Sequence, residues 1–461
     1  MIVALATQHT KLKKMYLRRR FYLLLLAVAL ITGAGFGFAP LYTVGRWLVL
    51  LLFLATLADV ILLWHKKAIT AERRLSSRFS NGDDNPVTIS VESTYPFPVR
   101  IDVIDELPFQ FQKRDFSIHH PLSTIHHPLS SIHHPLSTLH PSPSTYTLRP
   151  TRRGVYSFGH VLVFVSTHLG LVERRYRCCE PCDVSVYPSY QKLHQYELMA
   201  ISQNLQEPGI KRIRRIGNNT EFEHIRDYLK GDDYRTINWR ATARLSRPMV
   251  NVYQDERSQQ IFSVIDKGRV MQQAFQGMTL LDYAINASLA LSFVAMRKED
   301  RAGLITFADK TDTFVAADRR PGHINKLMET LYAEQTDFEE TDFSALSVAI
   351  GRHISKHSLL VLYTNFMGQV SLQRQLPFLQ QIARRHRLLV VFFEDVELQQ
   401  FIESPIHNDE ERCQHEVAEK FAAEKQLISA TLRQYGILSL LTTPQALTVD
   451  VINRYLAIRS F

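Results

Sequence analysis

Four cysteines in 461 residues are too few and too scattered for a disulfide framework. Cys178, Cys179 and Cys182 cluster, but Cys413 stands far away, so Cys179-x-x-Cys182 is half of a zinc site with no second half. Ordinary strand or turn cysteines in a reducing compartment are the expectation. No G-x-G-x-x-G or G-x-x-x-x-G-K-[ST] follows the first apolar strand of the C-terminal half, which argues against a dinucleotide or P-loop site. Paired carboxylates or a nucleophile beside a base at a recognisable spacing are also missing. A non-enzymatic protein is therefore expected, with a hydrolase acting at the rim of an α/β sheet as the alternative.

Charge is missing where it matters most. Phe21 to Ala39 (FYLLLLAVALITGAGFGFA) holds no ionisable side chain, and Trp47 to Trp64 (WLVLLLFLATLADVILLW) holds only Asp59. Each run approaches the length that a helix rising about 1.5 Å per residue needs to cross a hydrocarbon core of roughly 30 Å. The expectation is a transmembrane hairpin over 21–64, with spans 21–39 and 47–64 and a turn from Pro40 to Arg46. Trp47 and Trp64 suit the interfaces, and Gly33, Gly35 and Gly37 would allow close helix packing. A cleaved signal peptide fits less well, because no A-x-A-like site follows the first run.

The chain's net charge of +9 sits on the flanks of this hairpin. Lys11, Lys13, Lys14, Arg18, Arg19 and Arg20 form a basic arm over 1–20, and Lys66, Lys67, Arg73, Arg74 and Arg78 follow the second run. Basic residues on both outer flanks put both ends in the cytoplasm. The remainder is close to neutral, so no nucleic-acid partner is expected, although Lys211 to Arg215 (KRIRR) is a small basic patch.

Residues 80–190 read as a small all-β, sandwich-like domain. VTISVES, RIDVIDEL, STYTLRP, GVYSFGHVLVFVS, LVERRYR and CDVSVYP are rich in β-branched and aromatic residues and broken by Pro or Gly. A seven-residue tandem repeat interrupts them from Ile118 to Ser144 (IHHPLST, IHHPLSS, IHHPLST, LHPSPS). Its prolines exclude a helix or central strand, so an exposed, functionally silent loop is expected. Its histidines (His119, His120, His126, His127, His133, His134, His140) could bind a divalent metal only opportunistically.

Residues 191–255 read as a connector, and 256–461 as an α/β domain. IFSVID, RAGLITFAD, DTFVAA, SLLVLYTN, LLVVFFED and ILSLLTT are strands separated by segments with helical apolar spacing, among them a long amphipathic helix from about Asn408 to Tyr435. Apolar strands alternating with helices predict a doubly wound parallel sheet covered on both faces.

The connector carries the densest polar motif, Arg226 to Arg244 (RDYLKGDDYRTINWRATAR). Arg226, Tyr228, Gly231, Asp232, Arg235, Trp239 and Arg244 are its candidate functional residues. One reading is a structural clamp, in which a short helix packs Ile237 and Trp239 inward and Arg–Asp pairs tie the segment down. The other is a docking surface for an acidic partner, since Arg and Trp are frequent interface anchors.

The pattern R-x-Y-x-x-G-D-x-x-R-x-I-x-W-x-x-[ST]-A-R resembles the hallmark of the family catalogued as domain of unknown function fifty-eight. Arg152 to Gly159 (RRGVYSFG) and Thr167 to Arg175 (THLGLVERR) also resemble that family's β region. The resemblance implies a bacterial inner-membrane protein, multi-pass, with soluble domains facing the cytoplasm and a C-terminal von Willebrand factor A-like fold. It implies a MoxR-type AAA+ ATPase as partner, in the assembly or maturation of other proteins.

Such A-like domains often hold Mg²⁺ through D-x-S-x-S, a loop Thr and a later Asp. Here the corresponding positions are Asp266, Gly268 and Val270, then Thr341, then Asn365. Two ligands are gone and a neutral amide replaces a carboxylate, so no Mg²⁺ or other cofactor is expected. Asp266 is expected to bond nearby backbone amides.

Overall fold

The computed structural model describes residues 15–37, 39–64, 69–111, 117–120, 143–202, 220–229, 232, 234–255 and 258–460. The chain divides into two compact units, Met1–Val186 and Tyr187–Phe461.

In the first unit, strand β1 (Met15–Leu17) leads into helix α1 (Arg19–Ala34), a short 3-10 turn (Gly35–Gly37) and helix α2 (Ala39–Trp64). The turn falls earlier than expected. Pro40 to Arg46 is helical, with Pro40 in the first turn, where its missing N–H costs no hydrogen bond. Helix α1 is left with 16 residues, and Pro40–Trp64 is the one helix among the described residues long and apolar enough to cross a membrane. The close contacts also move. A Cβ on Gly45 would come within 2.3 Å of Thr32, and one on Gly35 within 2.6 Å of the Tyr42 backbone, whereas Gly33 and Gly37 face open space.

The β portion begins before residue 80. It comprises β2 (Ile69–Arg74), β3 (Arg78–Ser80), β4 (Asn85–Ser93), β5 (Arg100–Asp105), β6 (Ser117–His120), β7 (Ser144–Leu148), β8 (Gly154–Phe158), β9 (Val161–Ser166), β10 (Val172–Cys178) and β11 (Cys182–Tyr187). An antiparallel five-stranded sheet runs β1-β10-β9-β5-β6, and three-stranded sheets run β2-β4-β7 and β3-β11-β8. Every second residue is buried along β4 and β9, as a strand with one face on a core requires. Ile89 and Val91 of one sheet and Val103, Val163 and Val165 of another share that core with Leu52 and Leu63 of α2. The repeat is not loop throughout: Ser117–His120 pairs with β5 as an edge strand. Residues 121–142, with the other five histidines, lie outside the described residues, as does the basic patch at 211–215.

The connector is largely structured. Helix α3 (Leu193–Ser202) places Leu193 in the core of the second unit. Strands β12 (Thr220–Asp227) and β13 (Met249–Asp255) pair antiparallel around helix α4 (Trp239–Leu245). The main sheet uses β14 (Gln260–Asp266), β17 (Arg301–Phe307), β18 (Thr311–Asp318), β19 (Leu359–Tyr363), β20 (Arg387–Phe393) and β21 (Leu438–Thr442), with a small hairpin, β15 (Ala274–Phe275) and β16 (Met278–Thr279), between the first two. Its order is β18-β17-β14-β19-β20-β21, parallel except for the edge strand β18.

Both faces of this sheet are covered. Ile261 and Ile265 face a core with α5 (Leu280–Arg297), α6 (His323–Ala333) and α11 (Leu447–Ser460). Phe262 and Val264, alternating with them, face α7 (Phe343–His353), α8 (Gln369–Ala383) and α10 (Asp409–Gln434). Helix α9 (Val396–Glu403) follows β20. The strand order reverses between β14 and β19, so their carboxyl ends, Asp266 and Tyr363, flank the crevice where open α/β sheets place ligands.

Candidate functional site

The Arg/Trp motif separates into an inner and an outer half. In the inner half, Arg226 grips Asp232 through two parallel bonds of 2.8 Å, and the Asp232 carboxylate also accepts the Leu229 N–H at 2.9 Å. These donors, the guanidinium foremost, hold the Asp232 carboxyl below the usual carboxylate range. Tyr228 N–H donates to Pro248 O (2.9 Å) and Asn238 N–H to Met249 O (2.8 Å), closing the loop onto β13. Asn238 caps α4 by accepting Ala241 N–H at 3.0 Å, and its amide donates to Asn251 at 2.8 Å. Thr242 Oγ1 accepts Met249 N–H at 3.0 Å, and Ile237, half-buried, bridges to Val250.

In the outer half the expected packing reverses. Trp239 does not turn inward; it is 72% exposed, with Tyr234 at 69% and Leu229 at 63%. Leu245 is exposed too, and so are Arg235, Arg240 and Arg244. The Arg235 guanidinium lies 5.8 Å from the Tyr234 ring centre. The physical reason is the length of α4. Seven residues make barely two turns, and Ile237, Thr242 and Asn238 already supply its contacts with β13. Gly231 lies outside the described residues.

At the sheet rim, Asp266 is wholly buried. One of its oxygens accepts Gly268 N–H and Thr341 Oγ1–H, both at 2.8 Å, and the other accepts Thr364 Oγ1–H at 2.6 Å. Burial pushes its carboxyl up, and the hydroxyl and amide donors pull it back. Gly268 is tight by construction, since a Cβ there would lie 1.9 Å from Thr341 Oγ1. Asn365 is turned to a different partner: its Oδ1 accepts Lys425 Nζ at 2.7 Å, and the same ammonium reaches Phe366 O at 2.5 Å. The Thr341 and Asn365 side chains are thus committed to neighbours. A fixed cation beside Asn365, with no side-chain oxygen at 268 or 270, does not fit an octahedral Mg²⁺ site. Among the described residues no group of three or more His, Cys, Asp or Glu side chains could hold a metal ion.

Sequence reasoning missed Lys425, which sits on α10, 60 residues beyond Asn365. It lines a small cleft with about 50 Å³ of room, together with Gln273, Asn365, Glu394, Asp395 and Glu397. Burial pushes its ammonium down to about 8, with Asp395 acting in the opposite sense.

Residues 224–417, which include the whole motif and the sheet through β20, match the family described as protein of unknown function DUF58. Uncharacterized protein YeaD of Bacillus subtilis is 24% identical over 306 residues, 63% of this chain and 69% of the relative. Uncharacterized protein Rv1480 of Mycobacterium tuberculosis is 25% identical over 38% of this chain, which spans 55% of that relative's length. Among solved structures, the conserved hypothetical protein BatB of Bacteroides thetaiotaomicron aligns with 44% of this chain and 100% of its own, at 12% identity and a TM-score of 0.28. An aerotolerance-related membrane protein of Bacteroides fragilis aligns with 43% and 100%, at 12% identity and a TM-score of 0.26.

Proposed function

We propose that the chain is a membrane-tethered, non-enzymatic interaction protein of the DUF58 family, whose description, protein of unknown function, residues 224–417 match. The observation that carries this reading is the outward-facing Trp239 beside Tyr234 and three exposed arginines. A large aromatic left in water on a well-anchored helix is costly unless something covers it. Aromatic and arginine side chains are also the groups that dominate binding energy at protein interfaces. The partner surface is acidic and apolar, and the resemblance to this family points to a MoxR-type AAA+ ATPase of the cytoplasm. The strand order, with one antiparallel edge strand, supports a von Willebrand factor A-like assignment for the main sheet. The positive flanks support a cytoplasmic orientation of both units, in a bacterial inner membrane crossed by the helical pair.

Affinity capture of the detergent-solubilised full chain from its own cells tests this. Wild type should retain an AAA+ ATPase that Arg235→Ala/Trp239→Ala loses while its circular dichroism is unchanged. Equal capture by both forms sinks the docking role.

A second reading, a hydrolase at the sheet rim, is favoured by Lys425, an amine kept partly neutral near pH 8 in a cleft that Glu394, Asp395 and Glu397 also line. Ester or phosphate turnover by the full chain, abolished by Lys425→Met, would establish it. No turnover on such a panel would end it.

A further inference from the structure

Asp59 lies five residues before the end of α2, about 7–8 Å along a helix axis from Trp64. Helix residues on both sides of that level are apolar and turned outward: Leu54 and Leu57, deeper than Asp59, and Ile61 and Leu62, between it and Trp64, are all exposed. Yet Asp59 itself is wholly buried, because its carboxylate is enclosed by the turn between β9 and β10. That carboxylate accepts the Thr167 hydroxyl, Leu171 N–H (3.2 Å) and Val172 N–H (3.0 Å).

The same turn is held from the other helix. Arg18 N–H donates to Leu171 O at 3.0 Å, and a Cβ on Gly170 would meet the Arg20 guanidinium at 3.6 Å. Thr167 to Leu171 therefore sits between the entry of α1 and the exit of α2, gripped at the depth of Asp59. Its tip, His168 and Leu169, faces outward, and Leu169 is 52% exposed. Tyr16 on the neighbouring strand β1 is exposed as well, an amphipathic ring suited to an interface.

We propose that this turn is a membrane-inserted element in its own right, with Leu169 in the upper acyl-chain region of the bilayer. The inference rests on reading α2 as membrane-spanning. If lipid covers Ile61 and Leu62, it covers a turn bonded to the same stretch of helix. No backbone donor is thereby stranded at 171 or 172, because Asp59 accepts both. Asp59, the one charge in the apolar run, thus serves to carry a β-turn below the headgroups.

The test uses the full chain with Cys413→Ser, reconstituted in phosphatidylcholine/phosphatidylglycerol vesicles. Single cysteines at Leu169, Leu51 and Val155 each carry an environment-sensitive nitrobenzoxadiazole label, and the signal of the parent chain is subtracted. Val155 is as exposed as Leu169 but lies on β8, away from the turn, and Leu51 is mid-helix. Lipids spin-labelled at acyl carbon 5 should quench the Leu51 and Leu169 probes several-fold more than the Val155 probe. Iodide in the aqueous phase should give the opposite order. A quenched Leu51 probe with Leu169 behaving like Val155 overturns the inserted turn and leaves the spanning helix intact. An unquenched Leu51 probe overturns both.

Discussion

The carboxylate of Asp59 accepts the backbone N–H of Val172 at 3.0 Å, joining an apolar helix to a strand 113 residues away. The end of the same helix is held by side chains of the β portion. Tyr95 Oη donates to Leu63 O at 2.9 Å, and the Arg174 guanidinium also donates to Leu63 O and lies over the Trp64 ring. The Leu63 carbonyl, left without a partner by the helix end, thus finds two donors here.

Replacing Asp59 by Leu would match the surrounding apolar run yet strand the N–H groups of Leu171 and Val172. Each buried, unsatisfied donor costs about 1–3 kcal/mol. Asp59→Leu should therefore lower the thermal midpoint of the detergent-solubilised chain by several degrees, and Asp59→Asn, which keeps one acceptor, by less. A Leu variant as stable as wild type would show that the contact contributes nothing.

A second buried link should respond more sharply. Arg73 and Asp105 pair at 2.7 Å with both side chains almost wholly buried, and Tyr146 donates to the same carboxylate. Arg73 also reaches Gly159 O at 3.1 Å and lies over the Phe158 ring. Asp105→Ala leaves a buried guanidinium uncompensated, at a cost of about 3–5 kcal/mol. Arg73→Met/Asp105→Leu should recover much of that loss. Denaturant titrations of the three chains compare them, and a double variant less stable than Asp105→Ala would contradict the argument.

The two halves of the Arg/Trp motif should separate experimentally. Trp239→Ala changes an exposed side chain, so stability should stay within about 0.5 kcal/mol of wild type. Loss of a hot-spot aromatic should weaken partner binding by about 2 kcal/mol or more, roughly 30-fold. Asp232→Ala should instead loosen the hairpin itself, raising protease sensitivity between β12 and β13. Because Arg226 holds the Asp232 carboxyl low, the folded state keeps this pairing fully above the ordinary Asp value of about 3.9. It is lost only as pH falls through the depressed one. Hairpin protection that fades already between pH 6 and 5 would refute that assignment.

Much of this was legible in the residues, and what was not had a physical cause. Alternation along IFSVID carries the covered sheet directly, since Ile261 and Phe262 face opposite layers. The link between Asp266 and Thr341 follows from the resemblance, and the structure joins them at 2.8 Å. The break at Gly35 was hidden because an apolar run reads the same whether the turn precedes or follows Pro40. Trp239 was misjudged because hydrophobicity says only that a ring prefers cover, not whether the chain itself supplies it. Lys425 gave no signal, because a lysine on an amphipathic helix looks solvated until the fold brings Asn365 to it.

That lysine supplies the last prediction. Its ammonium is pushed down to about 8 by burial, below the usual lysine value of about 10.4. Between those values the unfolded chain binds the extra proton and the folded chain does not. Stability therefore rises with pH across that window from this group, and is lowered in full below it. Lys425→Met removes the buried charge and fills similar volume, so the variant should lose that alkaline rise. At pH 7 two effects oppose each other: relief from burying a charge, and loss of the bonds to Asn365 Oδ1 and Phe366 O. A buried charge that spends two of its three N–H donors on those carbonyls has no carboxylate at bonding distance among the described residues, so relief should win and the variant should melt higher. Melting curves of both chains from pH 7 to 10.5 decide it. Parallel curves would mean that Lys425 titrates as an ordinary solvated lysine, and would remove the support it lends to chemistry at the rim.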